Sequence, residues 1–387
     1  MSSSTTVIDS ATDLGVKEKK VPGKRFGWVR LAHTLDRLGL GFFSPYARLI
    51  GGDEPKKQLR EIGLGAGLPA VAIGGFMAFW GYCATTVATD SWRIPSPAET
   101  WAAYRGMRAF AANEEVKANE FRTQMNAMAD PWRKKADGAE AAGDSAAATQ
   151  FAAKAVEYRN MRYPGPPTFN QQIKTSLITV AIGFLFATLI AVPAGVLCGL
   201  IKNFNTAVNP LIQIFKPVSP LAWLPIVFVF VTVLYDPGDA TKNAGFGREI
   251  FISAGTVALC SLWPTLINTA FGVAGIDRDH LNVAKVLKLS MWQRIYKIVL
   301  PSALPLIFTG LRLSLGVGWM VLVAADMLAQ NPGLGKFVWD TFQNGSTESM
   351  AQIVVAVFTV GIIGFFLDRI MFTLQRLVSF ENQTSNF

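Results

Sequence analysis

The sequence predicts an all-α polytopic membrane protein, with six transmembrane helices and a helical hairpin inserted after the first. Three observations predict it. Of 387 residues, 51% are hydrophobic and only 16% charged, against roughly 25% charged in a soluble domain. Six apolar segments are long enough to cross a bilayer, which takes about 20 helical residues. A single long polar stretch, 85–172, separates the first segment from the rest. The net charge of +9 reads as basic residues gathered on the cytoplasmic side, not as a nucleic-acid surface. Cys83, Cys198 and Cys260 lie in separate apolar segments. His33 and His280 are far apart, so neither a disulfide framework nor a metal centre is expected.

In chain order, residues 1–25 are rich in Ser, Thr and Lys and lack the apolar core of a signal peptide. They predict a disordered cytoplasmic tail. Residues 26–55 interleave Phe26, Trp28, Leu31 and Leu35 with Arg25, Arg30, Arg37 and Arg48. That pattern predicts an amphipathic basic helix at the inner membrane face, with a linker helix packed on the core as the alternative. The first span lies within 56–84, its apolar part running from about Ile62 to Ala84. Lys56, Lys57 and Arg60 at its start put the N-terminus in the cytoplasm. Gly63, Gly65 and Gly67 read as close helix packing rather than a nucleotide loop, because no strand precedes them.

The polar stretch 85–172 predicts an extracytoplasmic hairpin. One helix runs from Ala98 to about Met128 and is broken at Asp130-Pro131. A second, Ala-rich helix runs from Trp132 to Tyr163 with a weak point at Gly143-Asp144. Pro164-Gly165-Pro166-Pro167 ends it. The core 173–376 supplies the other spans: Ile173–Ile201, Pro210–Leu234, Ile250–Val273, Leu306–Leu328 and Ile353–Leu374. The third is interrupted by Pro217, Pro220 and Pro225. Broken backbone at membrane depth is tolerated where protein or a watery cavity covers it, so this span is the candidate for lining a pathway. Six spans return 377–387 to the cytoplasm.

The segment 275–305 between spans four and five is therefore cytoplasmic. Asp279 can cap a short helix through Leu287. Ser290 with Gln293 forms a capping box for a second helix, which Pro301 limits. This segment resembles the EAA loop of binding-protein-dependent ABC importer permeases, whose motif is Glu-Ala-Ala, a glycine four residues on, and a closing Ile-x-Leu-Pro. Here Asn282-Val283-Ala284 stands at Glu-Ala-Ala, Lys288 at the glycine, and Ile298-Val299-Leu300-Pro301 closes it. Both departures are similar to the nitrate/bicarbonate/cyanate branch, related to sulfonate and taurine permeases. Ile94-Pro95-Ser96-Pro97, Pro220-Leu221-Ala222-Trp223-Leu224-Pro225, Ala324-Ala325-Asp326-Met327-Leu328, Gly333-Leu334-Gly335 and Gly364-Phe365-Phe366-Leu367-Asp368-Arg369 extend that resemblance.

The resemblance implies a MetI-like permease subunit in a bacterial inner membrane, with both termini cytoplasmic. It implies transport of a small oxyanion, nitrate first, with nitrite, bicarbonate, cyanate or a sulfonate as alternatives. A secondary transporter or channel is the alternative of another class. The implied partners are a second permease copy, two ATP-binding cassette ATPase subunits, an extracytoplasmic solute-binding protein and the bilayer. The chain has no Gly-x-x-x-x-Gly-Lys-Ser/Thr loop, so ATP and Mg²⁺ are expected only in the ATPases. It is expected to be non-catalytic and to bind no cofactor itself. In the coupling helix, Leu281, Leu287, Leu289 and Trp292 would fill a groove of the ATPase. Lys285, Lys288 and Arg294 would meet its acidic edges, and Asn282, Ala284 and Pro301 complete the motif. Candidate pathway residues are Lys216, Pro220, Trp223, Arg312, Trp319 and Asp326, since ionisable groups at membrane depth are costly. Lys216 and Arg312 suit an anion or snorkel to headgroups, while Asp326 suits a gate or a loop.

Overall fold

The computed structural model describes residues 44–51, 55–87, 93–234, 247–277, 279, 282 and 286–378. The expected tails 1–25 and 379–387, most of the basic helix, and the loop 235–246 lie outside the described residues. The chain divides into two compact units between Gly74 and Gly75. In the first, α1 (Ser44–Ile50) packs on α2 (Pro55–Ile62). A π-helical turn, Gly63–Gly67, carries α2 into α3 (Leu68–Thr86), which crosses into the second unit. No heavy atom among the described residues would meet a Cβ at Gly63, Gly65 or Gly67. Their expected close packing is therefore not made among the described residues.

The second unit is helical among its described residues: α4 (Pro97–Ala141), α5 (Ser145–Asn160), α6 (Phe169–Leu200), α7 (Lys202–Phe215), α8 (Pro220–Leu234), α9 (Arg248–Ala274), α10 (Met291–Arg294), α11 (Leu300–Ala329), α12 (Leu334–Gln343) and α13 (Thr347–Val378). Among the described residues of the whole chain, five helical stretches are long and apolar enough to cross a membrane, or six if the pair α7–α8 is one span. That pair is bent by 108°, so the third span, expected to be interrupted by its prolines, is two helices. Pro217 and Pro220 cause the break, since neither can donate to the preceding turn.

The core is built on α9, with α6 on one side and α11 on the other. Small residues let the backbones approach. A Cβ on Gly183 of α6 would sit 2.6 Å from the Ala254 carbonyl, and one on Gly318 of α11 would sit 2.6 Å from Ser261 Oγ. Buried Ser and Thr line the seam instead of bulk. Ser314 Oγ of α11 donates to the Ser261 carbonyl at 2.5 Å and accepts the Thr265 N–H at 3.0 Å. It thus bridges the α9 hydrogen-bond ladder beside Pro264, where the helix has a missing donor.

The hairpin departs from expectation in one respect. α4 is a continuous helix of 45 residues, about 68 Å at the usual rise, and Pro131 lies inside it. The helix persists because the broken turn is water-exposed and both flanks pack against α5, through buried Ala129 and Ala136. The reversal comes at Gly143 (φ +79°), followed by Asp144, whose carboxylate caps α5 through the Ala147 N–H. Ser96 with Glu99 starts α4, and Thr168 with Gln171 starts α6, each by a capping box. Near the base, Glu114 accepts from Lys117 Nζ at 2.7 Å and from the Tyr163 hydroxyl at 2.9 Å. That clasp ties the returning chain to α4 and holds the Glu114 carboxyl below its ordinary range.

Candidate functional site

The loop after α9 is built by local polar contacts. The Gly275 N–H closes α9 on the Phe271 carbonyl, and the Asp279 N–H bonds Asp277 Oδ1 at 3.0 Å. Asp279, Asn282 and Val286 are helical. Of the expected coupling residues, Leu281, Ala284 and Lys285 lie outside the described residues. Asn282 is exposed. Lys288 adopts φ +49°. This is the left-handed turn that a glycine takes without steric cost and that costs an L-residue about 1–2 kcal/mol. The missing glycine has therefore not removed the turn.

Ser290 caps the next helix, and Gln293 Oε1 accepts the Ser290 N–H at 3.0 Å. Pro301 does not end that helix as expected. Helix continues from Met291 to Ala329, 39 residues in all. A π-helical turn at Ile295–Val299 sets the Leu300 N–H on the Ile295 carbonyl. The wide turn leaves room for the proline ring one residue later.

The result is an exposed apolar knob. Leu287 is 62% exposed and Trp292 74%, while Leu289 is half-buried. Val286, Met291 and Tyr296 are also exposed, and sequence reasoning had passed over them. The spacing 292–296 was the available signal for Tyr296, since residues four apart share a helix face. Beneath the knob, fully buried Val299 packs with Ala303, Ile307, Val196 and Val273, so its base is locked to α6 and α9.

The candidate pathway residues spread over several elements. Lys216 ends α7 and Pro220 starts α8, at the corner of the bent pair. Trp223 rests on Phe215, ring centroids 5.4 Å apart. Arg312, Trp319 and Asp326 recur every seven residues on α11. Arg312 donates to both carboxylate oxygens of Asp368 on α13, at 2.5 and 2.9 Å, and lies over the Phe372 ring. Its charge is thus already met by an acidic partner. Trp319 Nε1 donates to the Val360 carbonyl at 3.0 Å.

Asp326 is fully buried. Its Oδ2 accepts from Ser176 Oγ at 2.8 Å, and its Oδ1 accepts from Asn331 Nδ2 at 2.7 Å. The Asn331 amide also reaches Thr179 Oγ1, and Ser176 Oγ accepts the Leu334 N–H at 2.8 Å. Gln330 turns the chain with φ +56°. Gly333 and Gly335 pass so close to Asp326 and the Val323 carbonyl that no side chain fits at either. The carboxylate is therefore a latch that pins the 330–335 loop to α6. One helical rod carries the exposed knob at its beginning and this latch near its end.

Residues 191–379 match the family described as binding-protein-dependent transport system inner membrane component. The chain is similar to the nitrate import permease protein NrtB of Synechococcus elongatus, at 41% identity over 208 residues, covering 54% of this chain and 69% of the relative. It is similar to the bicarbonate transport system permease protein CmpB of the same species, at 37% identity over 54% of this chain and 68% of the relative. The taurine transport system permease protein TauC of Escherichia coli is 30% identical over 54% of this chain and 70% of its own length. Among solved structures, the inward-facing MetNI methionine ABC transporter covers 55% of this chain and 96% of its own, at 16% identity and a TM-score of 0.45.

Proposed function

Because the chain belongs to the family of binding-protein-dependent ABC transporter permeases, we propose that it is the membrane subunit of an ATP-driven importer for a small inorganic oxyanion, nitrate first. One observation supports this reading most strongly: the exposed knob 286–296, seated on buried Val299 and continuous with a spanning helix. Such a knob suits a groove in an ATPase subunit. A rigid helix transmits a push as a body shift, and the shift would reach the Asp326 latch. The nitrate relative has the higher identity of the two anion permeases, which is why nitrate ranks ahead of bicarbonate, cyanate and sulfonates.

In this reading the knob faces the cytoplasm, both termini lie there, and the α4–α5 hairpin projects on the opposite side, where it docks a solute-binding protein. Two permease copies form the pathway at a twofold interface. ATP and Mg²⁺ act in the partner ATPases, and this chain catalyses nothing itself. With its charge met by Asp368, Arg312 serves as a strut between α11 and α13. Lys216, at the α7–α8 corner, is the cation left to meet an anion.

The test is ATPase stimulation in the reconstituted complex, with purified binding protein and a panel of nitrate, bicarbonate, cyanate and taurine. Nitrate is expected to stimulate most. Stimulation by taurine alone would replace the oxyanion reading with the sulfonate one. Deleting 98–163 is expected to abolish the stimulation while the complex still assembles. Unchanged stimulation would remove the docking role.

A further inference from the structure

A cavity of about 720 Å³ opens at the foot of the hairpin, between α4, α6, α12 and α13. Met107, Phe169 and Phe337 give it apolar walls. Its polar groups have a pattern. Gln172, only 8% exposed, lines it, and its buried Oε1 has no hydrogen-bond partner among the described residues. A buried carbonyl oxygen left unpaired is costly, so a donor is expected there. Glu348 lines the same space and forms no ion pair among the described residues. Arg93 stands at the rim, engaged by Glu99 but half exposed, and a guanidinium has donors to spare.

The position is equally telling. Gln172 is in the first turn of α6 and Glu348 in the first turn of α13, both spanning helices. The cavity therefore sits where hydrocarbon gives way to headgroups. Trp80, bonded through Nε1 to the Pro95 carbonyl, and exposed Trp101, its ring centroid 5.4 Å from that of Tyr104, lie on the adjoining elements. Amphipathic aromatics of this kind mark the interface level.

We propose that this cavity binds a phospholipid with a primary-amine headgroup, a phosphatidylethanolamine. The ammonium donates to Gln172 Oε1 and Glu348, the phosphate meets Arg93, and the upper acyl chain lies along Met107, Phe169 and Phe337. A ligand seated there touches the hairpin, α13 and the helix that follows the Asp326 latch. It would thus brace the hairpin against the core. The inference rests on the membrane placement of the family and not on which anion is carried.

The experiment is native mass spectrometry of the full permease–ATPase complex, extracted from nanodiscs of phosphatidylethanolamine with phosphatidylglycerol or of phosphatidylcholine with phosphatidylglycerol. Phosphatidylcholine has the same phosphate but no N–H. The wild type is expected to retain phosphatidylethanolamine by about tenfold over phosphatidylcholine, the ratio one charge-assisted hydrogen bond confers. Glu348→Gln, at an exposed site, is expected to erase most of that preference. Gly106→Leu fills the cavity, since a Cβ there meets open space, and is expected to expel the lipid. Equal retention of the two lipids by the wild type would overturn the proposal. So would a preference that survives both substitutions. Loss of binding-protein stimulation in Gly106→Leu with lipid retention unchanged would assign the cavity to that protein and overturn it likewise.

Discussion

At the scale of single residues, three side chains carry the most consequence. Lys288 occupies a left-handed position at φ +49°, so Lys288→Gly is expected to raise the stability of the complex by about 1 kcal/mol. Lys288→Val, β-branched, is expected to lower it. Thermal unfolding of both variants in detergent checks the order. Asp326 accepts from Ser176 and Asn331 in a buried site. Asp326→Ala leaves the Ser176 hydroxyl and one of the two amide N–H groups of Asn331 without an acceptor, at a cost of about 1–3 kcal/mol each. Faster hydrogen exchange across 330–335 is the expected readout, and unchanged exchange would contradict the latch. The sequence singled out Asp326 as an ionisable group at membrane depth. It could not show Ser176, Thr179 and Asn331 around it. Ser176 lies 150 residues away in sequence and Thr179 is 152 residues from its partner Asn331, and single hydroxyls carry no pattern.

At the scale of elements, legibility followed the physics of each segment. The four continuous core spans were visible because length and apolarity alone define them. The capping box at Ser290 was visible because a cap is a local motif. Pro131 and Pro301 misled for a shared reason. A proline limits a helix only when the surroundings do not support its continuation. Around Pro131 the turn is bathed by water and flanked by hairpin packing; before Pro301 a π-helical turn absorbs the ring. The bend of 108° between α7 and α8 was foreshadowed by its prolines, though not its size. The hairpin clasp gives a pH prediction. Hydrogen bonds from Lys117 and Tyr163 hold the Glu114 carboxyl below its ordinary range. A depressed carboxyl contributes stability above its unfolded pKa and loses it as pH falls through the folded value. The segment 161–168 is therefore expected to become more sensitive to pepsin between about pH 4 and pH 2. In Glu114→Gln the two pH values should differ little, and an equal rise in both proteins would remove the clasp from the account.

At the scale of the whole molecule, a single helix of 39 residues joins the two features on which the account depends. Near its start Trp292 is 74% exposed, while Asp326 near its end is fully buried. Burial of Val299 and the small-residue seam with α9 keep the rod from bending freely. A displacement of the knob should therefore reach the latch, and Gly318→Leu, which cannot pack against Ser261 and Val257, should uncouple or unfold the core by 2 kcal/mol or more, about the scale of overpacking. The most direct measurement is ATP-driven nitrate uptake into proteoliposomes holding the complete complex, with Leu287 and Trp292 both replaced by Glu. The account predicts that the ATPase dissociates from this variant and uptake falls to background. Uptake at the wild-type rate in the variant, or uptake by the permease alone without ATPase, would contradict it.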